Sequence, residues 1–255
     1  MEKEFVKSSY KVDKERNIIL NGISITGERN KKASNSNQDA FGIKISDKAA
    51  LITVADGLGS CKNSNIGSEY AVECISEWIA NDLEKYEFIS DEMLVILNNK
   101  LIDRWRFKLS EVNYLTYDTT ILYAIYIDNN LIVGGIGDGM ILCFYDDKTY
   151  DLSWDKNEFS NRTVSMASKN AKELIRSKKM SIFRNDLPVS VLLMTDGISD
   201  DLDEKSKKKL PEYLHSRLME VGIEKFQSEL IDWISNWKTQ GHTDDRTLCM
   251  LNKNF

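Results

Sequence analysis

Three times in this chain an apolar run ends in Asp-Gly, in VADGLGS at 54–60, GIGDGM at 135–140 and MTDGIS at 194–199. Each reads as a buried strand stopped by a turn, since glycine accepts backbone angles that other residues resist. A fourth acidic site, TDDRT at 243–247, precedes the last apolar run. One Asp-Gly alone is a common hairpin turn and needs no ligand. A set of carboxylates at neighbouring strand ends is another matter, because each close pair repels by roughly 1 to 4 kcal/mol, depending on the effective dielectric. A bound cation removes that cost. Hard oxygen donors without His or Cys favour Mg²⁺ or Mn²⁺ over zinc. The expectation is a fold that gathers these strand ends around divalent cations.

The rest of the chain supplies strands and helices to carry them. Ile18–Thr26 and Ala40–Ile45 read as strands separated by a polar loop over Gly27–Gln38, and Ala49–Ala55 (AALITVA) as a buried strand. From Ile66 to Leu109 the apolar spacing is helical, with a break near Lys85–Ile89 and Ser90 as N-cap of a second helix whose first turn holds Asp91 and Glu92. Thr119–Ile127 and Leu131–Gly135 form a predicted hairpin about Asp128-Asn129-Asn130, and Ile136–Phe144 continues the strand series, interrupted by a tight turn at Gly137-Asp138-Gly139. Tyr145–Pro188 carries little periodicity beyond a short helix around Ala167–Arg176. Val189–Met194 is a further buried strand, Ser206–Glu220 and Ile223–Trp237 are helices, and Thr247–Leu251 is the last strand. Strict strand–helix alternation is absent, so the class is α+β, with helix pairs inserted between mainly antiparallel strands.

Composition narrows the function. The 255 residues permit one large domain or two, but 2 Pro and 13 Gly with no low-complexity tract leave no linker, and residues 1–255 are taken as one domain. A net charge of -6, with basic residues scattered among acids, argues against a nucleic-acid surface, and the cluster Lys205–Lys209 reads as a solvated face. The N-terminus is charged and no segment reaches the ~20 apolar residues of a membrane span, so no membrane partner and a cytoplasmic location are expected. Cys61, Cys74, Cys143 and Cys249 are spaced too widely for paired zinc ligands. No phosphate loop or dinucleotide fingerprint is present.

Seven short segments, in order, resemble the metal-dependent protein phosphatase family of the 2C type. They are SNQDAF at 36–41, VADGLGS at 54–60, GSEYAV at 67–72, DTTIL at 118–122, GIGDGM at 135–140, MTDGIS at 194–199 and DDRTL at 244–248. The wording ADGLGS and the segment NEFSNRTVSM at 157–166 look most like a bacterial or phage-associated subgroup. The resemblance implies an α-β-β-α sandwich that hydrolyses phosphoserine and phosphothreonine in proteins with two or three Mg²⁺ or Mn²⁺ ions. It implies that Asp56 bridges two metals, that the Gly57 carbonyl touches one, and that Asp196 and Asp244 complete the first metal's shell. By the same likeness Asp56, Asp196 and Asp244 are the catalytic set. Asp39 then serves the second metal directly or through water, Asp138 supports a third, and Asp245 is a hydrogen-bonding neighbour. A phosphoprotein substrate follows, and with it a cognate Ser/Thr kinase as opposing partner.

The chain departs from the family at two places. Many relatives hold substrate phosphate with an arginine shortly before the first acidic motif, where Ser34 stands here, so Lys31 or Lys32 is expected to substitute, although a lysine lacks arginine's planar fork. Leu58 occupies the place of a histidine found in some relatives. His242 beside the last aspartates is the one nearby histidine, and His215 reads as structural. The missing arginine also motivates a rival reading, a catalytically weak regulatory module that engages a kinase or sensor. A small-molecule phosphate esterase is a third.

Overall fold

The computed structural model describes residues 5–86, 89–109, 113–154, 164–184, 186–237 and 243–254. Two antiparallel sheets form the centre. The first is built from β1 (Val6–Asp13), β2 (Ile18–Ile25), β11 (Arg246–Lys253), β10 (Val189–Met194), β7 (Met140–Tyr145) and β8 (Lys148–Asp151), in that spatial order. The second runs β3 (Asp39–Ile45), β4 (Ala49–Asp56), β5 (Ile121–Ile127), β6 (Asn130–Ile136) and β9 (Arg176–Ser181). Helices α2 (Ser64–Asn81) and α3 (Asp91–Lys108) cover the second sheet, and α6 (Glu204–Val221) and α7 (Ile223–Ser235) cover the first. The fold is an α-β-β-α sandwich.

The period of two along each strand builds three apolar layers. Ile18 and Leu20 of β2 face the gap between the sheets, with Ile52, Val54, Val191 and Leu251. Ile19, Ile23 and Ile25 of the same strand face Leu214, Leu218, Phe226 and Leu230 of α6 and α7. On the other side Leu51, Tyr123 and Ile125 meet Ile75, Trp78, Leu101 and Trp105 of α2 and α3. Central strands are therefore buried on both faces, which is why they read as unbroken apolar runs. Ser90 caps α3 by accepting a hydrogen bond from the Met93 amide at 3.3 Å. The cysteines are free thiols, three of them buried.

Four features differ from the sequence expectation. The polar loop Gly27–Gln38 contains a short helix, α1 (Glu28–Lys32). The charged N-terminal stretch holds β1, paired along its whole length with β2 from Val6↔Ile25 to Asp13↔Ile18. Tyr145–Pro188 contains two strands at sheet edges, β8 and β9, on either side of the expected short helix, α4 (Ala171–Leu174). Most consequential, the expected interruption at Gly137-Asp138-Gly139 is a change of sheet, since β6 belongs to the second sheet and β7 to the first. Gly137-Asp138-Gly139 is thus the crossover between them, with Gly137 at φ 129, where a Cβ would lie 2.5 Å from that of Thr120. Among the described residues no helix is long and apolar enough to cross a membrane.

Candidate metal centre

Strand register places the first two carboxylates. β3 and β4 pair so that Asp39 and Asp56 stand directly opposite one another at their shared end. The backbone at Asp56 is fixed by its neighbours in DTTIL. Its amide donates to Thr120 Oγ1 at 3.0 Å, and its carbonyl accepts from Thr119 Oγ1 at 2.9 Å and the Thr120 amide at 2.8 Å. Gly57 follows, bridged to Thr119, in a space so tight that a Cβ would lie 2.7 Å from the carbonyl oxygens of Gln38 and Ser64.

The other sheet contributes from across the gap. Asp196 opens the single-turn helix α5 (Asp196–Ser199) at the end of β10, and Asp138 sits in the crossover. One carboxylate oxygen from each of Asp56, Asp138 and Asp196 lies within 4.8 Å of the other two. Thr195 ties the sheets together here. It receives the Thr247 amide at 3.1 Å and its hydroxyl donates to Asp39 Oδ2 at 2.8 Å.

The electrostatics follow from that crowding. Asp39 is 4% exposed, and burial together with Asp245 raises its pKa. Burial, then Asp39, Asp196 and Asp138, raise Asp56 well above the carboxylate range. Burial and the Asp138 charge push Asp196 up to about 6. Each charged form is disfavoured by loss of water and by like neighbours, and a cation reverses both effects. The donor set is wholly oxygen, which fits Mg²⁺ or Mn²⁺.

The last acidic pair divides its work. Asp245 is buried and accepts three hydrogen bonds, from the Gly27 amide at 2.6 Å to Oδ1, and from the Gln38 amide at 2.6 Å and Asn30 Nδ2 at 2.8 Å to Oδ2. It clips the loop between β2 and β3 onto the end of β11. Asp244 is exposed, lies outside the close group of three, and faces Arg29, whose Nη1 is 3.3 Å from Asp244 Oδ1.

These groups surround a cavity of about 270 Å³, lined by Arg29, Asp39, Asp56, Gly57, Asp138, Asp196, Asp244 and Asp245 among others. Lys31, Lys32 and Ser34 are not part of its wall. The Lys31 ammonium lies 3.4 Å from Glu28 Oε1 and 5.9 Å above the Phe5 ring, and Ser34 takes a positive φ of 55 just past the end of α1. The cation the structure brings to the site is Arg29. It is the only arginine between Gly27 and Gln38, a signal available in the sequence, but its direction depends on a helix that the polar composition hid. His215 is buried with Nδ1 3.2 Å from Asn252 Oδ1, outside the cavity wall. His242, and residues 157–163 of the segment NEFSNRTVSM, lie outside the described residues.

A family model described as Protein phosphatase 2C matches residues 26–235. The chain belongs to the protein phosphatase 2C family. Solved structures of that fold superpose over nearly its whole length. RsbX in complex with magnesium is 14% identical with a TM-score of 0.62, covering 97% of this chain and 100% of that one. The S. agalactiae serine/threonine phosphatase is 17% identical with a TM-score of 0.62, covering 97% and 99%. The catalytic domain of the serine threonine protein phosphatase PstP, in complex with two manganese ions, is 12% identical with a TM-score of 0.58, covering 92% and 97%. At such identities the likeness is one of fold. No curated protein matches the chain.

Proposed function

We propose that this protein phosphatase 2C member removes phosphate from phosphoserine or phosphothreonine in a protein substrate, with Mg²⁺ or Mn²⁺ as cofactor. The observation that carries the reading is the meeting of Asp56, Asp138 and Asp196 within 4.8 Å, beside buried Asp39, in a cavity that also admits Arg29. Oxygen donors that the end of β4, the crossover and the start of α5 bring together fit a divalent cation. The magnesium and manganese in related structures support the same reading.

In this proposal Asp56, Asp138 and Asp196 hold metal, with the Gly57 carbonyl beside them, Asp39 reached through Asp56 and Thr195, and Asp244 closing the rim. Bound cations supply Lewis acidity and acidify coordinated water. The chain's own part is positional. Thr119 and Thr120 fix the Asp56 backbone, Thr195 fixes the Asp39 carboxylate, and Asp245 fixes α1. Arg29 then offers a planar fork to the phosphoryl oxygens, a geometry that lysine lacks. A kinase that makes the substrate is the natural counterpart, and free thiols fit a reducing, cytoplasmic compartment.

The test is turnover of a phosphothreonine peptide with Mn²⁺, with and without chelator, beside a small phosphate ester. Metal-dependent turnover of the peptide in preference to the ester is expected. Turnover that survives chelation overturns the metal assignment. Preference for the ester favours a small-molecule esterase, and Mn²⁺ binding without turnover of either favours a regulatory module.

A further inference from the structure

Arg29 faces two claims at once. It lines the cavity where the phosphate is proposed to sit, and it is already paired with Asp244, a proposed metal ligand. Its backbone is not free to move between them. The Arg29 amide donates to the Thr243 carbonyl at 3.1 Å, and Asp245 anchors α1 through Gly27 and Asn30. Only the side chain can choose. A place has been left for it beside Gly59, where a Cβ would lie 2.3 Å from Arg29 Nη2. The pair is half-exposed on both sides, 54% for Arg29 and 51% for Asp244. Such pairs are weak and readily exchanged.

We infer that Arg29 is an exchangeable counter-ion for the metal centre. It neutralises Asp244 until a divalent cation takes that carboxylate, and the displaced guanidinium then becomes available to phosphate. Metal and phosphate are coupled through one side chain, and by linkage each favours the other's binding. The phosphate half rests on the phosphatase reading. The metal half rests on the ion pair, on the carboxylate cluster and on the proposed place of Asp244 at the rim of that cluster.

Both halves are read by binding, without turnover. Mn²⁺ affinity is measured by calorimetry on the full chain, for the unaltered protein, Arg29→Gln, Asp244→Asn and the double variant. Arg29→Gln is expected to bind Mn²⁺ tighter by about two- to fivefold, the range for a half-exposed ion pair. In the Asp244→Asn background the same change is expected to do nothing, as a double-mutant cycle requires of a direct pair. Gly59→Ala pushes the guanidinium from its place while keeping its charge, and is expected to reproduce the tighter binding. Inorganic phosphate binding with saturating Mn²⁺ is expected to weaken roughly tenfold in Arg29→Gln, as for a lost charge-assisted fork.

Equal tightening in both backgrounds would mean a general field of positive charge and would overturn the exchange. So would unchanged or weaker Mn²⁺ binding in Arg29→Gln. Unchanged phosphate binding removes the handover. Absence of phosphopeptide turnover counts against the proposed function and leaves these binding results to stand alone.

Discussion

The floor and the rim of the cavity are built on opposite principles. On the floor, register sets Asp39 of β3 opposite Asp56 of β4, Asp196 opens α5 just past β10 and Asp138 sits in the crossover, so the backbone dictates where their carboxylates go. They are held close although burial and mutual repulsion raise the pKa values of Asp39, Asp56 and Asp196. At the rim, Asp244 and Arg29 are half-exposed and meet through side chains alone. Fixed geometry at high electrostatic cost suits a cation that must be bound in one place. Loose geometry at low cost suits groups that change partners. The contrast is open to direct attack.

The largest effect is expected from breaking the floor. Asp56→Asn or Asp196→Asn should lower kcat on a phosphothreonine peptide by about 10³-fold or more, equivalent to about 4 kcal/mol of barrier. The same variants should be no less stable, and are expected to be more stable, in chelator, because each removes a carboxylate from a crowded, repulsive group. Thermal melting with and without Mn²⁺ checks this. Loss of stability in chelator would mean that these carboxylates hold the fold rather than the metal.

Next in size is the joint between floor and rim. Asp245→Ala takes the acceptor from the Gly27 and Gln38 amides and from Asn30. Stranding a buried donor costs about 1–3 kcal/mol. A loss of roughly 3 kcal/mol or more is therefore expected in denaturant unfolding. Phosphopeptide turnover should fall with it, since α1 then no longer carries Arg29 to a fixed place. Wild-type stability would assign the joint to the backbone contact of Arg29 with Thr243 instead.

A smaller effect, read by pH, sharpens the floor without mutation. The raised pKa values of Asp39, about 8, and Asp196, about 6, exceed the ordinary carboxylate value near ~4. Through that window the folded chain binds more protons than the unfolded one. Stability in chelator should therefore be greatest toward the low end and fall as pH rises to about 8. Saturating Mn²⁺ should flatten the fall, because the cation stabilises the ionised forms. A melting temperature in chelator that rises steadily across this range would contradict the carboxylate assignments.

The same contrast separates what could be read in the sequence from what could not. Strands buried on both faces, such as β4, β5 and β10, announce themselves as apolar runs, and the aspartates at their ends come with them. α3 announced itself by spacing and by Ser90. The exposed edge strand β1, VKSSYKVD, has no such pattern, because its place is set by pairing with β2 and not by burial. β9, RSKKMS, is hidden for the same reason. The sheet change at Gly137–Gly139 is invisible to any local pattern, since Asn130–Tyr145 is apolar on both sides of it. Arg29 is the clearest case. Its position depends on Asp245, Thr243 and Gly59, all distant in the chain, and sequence proximity pointed to Lys31, Lys32 and Ser34 instead.

The smallest expected effect tests that last point. Lys31→Ala and Lys32→Ala remove positive charge within three residues of Arg29, yet neither side chain lines the cavity. Lys31 is engaged with Glu28 and Phe5, a surface pairing that contributes about 0–1 kcal/mol. Phosphopeptide KM should therefore stay within about twofold of the unaltered protein, and stability within roughly 0.5 kcal/mol. If nearby charge were enough to hold phosphate, these two changes would raise KM as much as Arg29→Gln does. If the hold depends on direction, only the arginine that α1 turns into the cavity should matter, and the ratio of the three KM values measures how far direction outweighs charge.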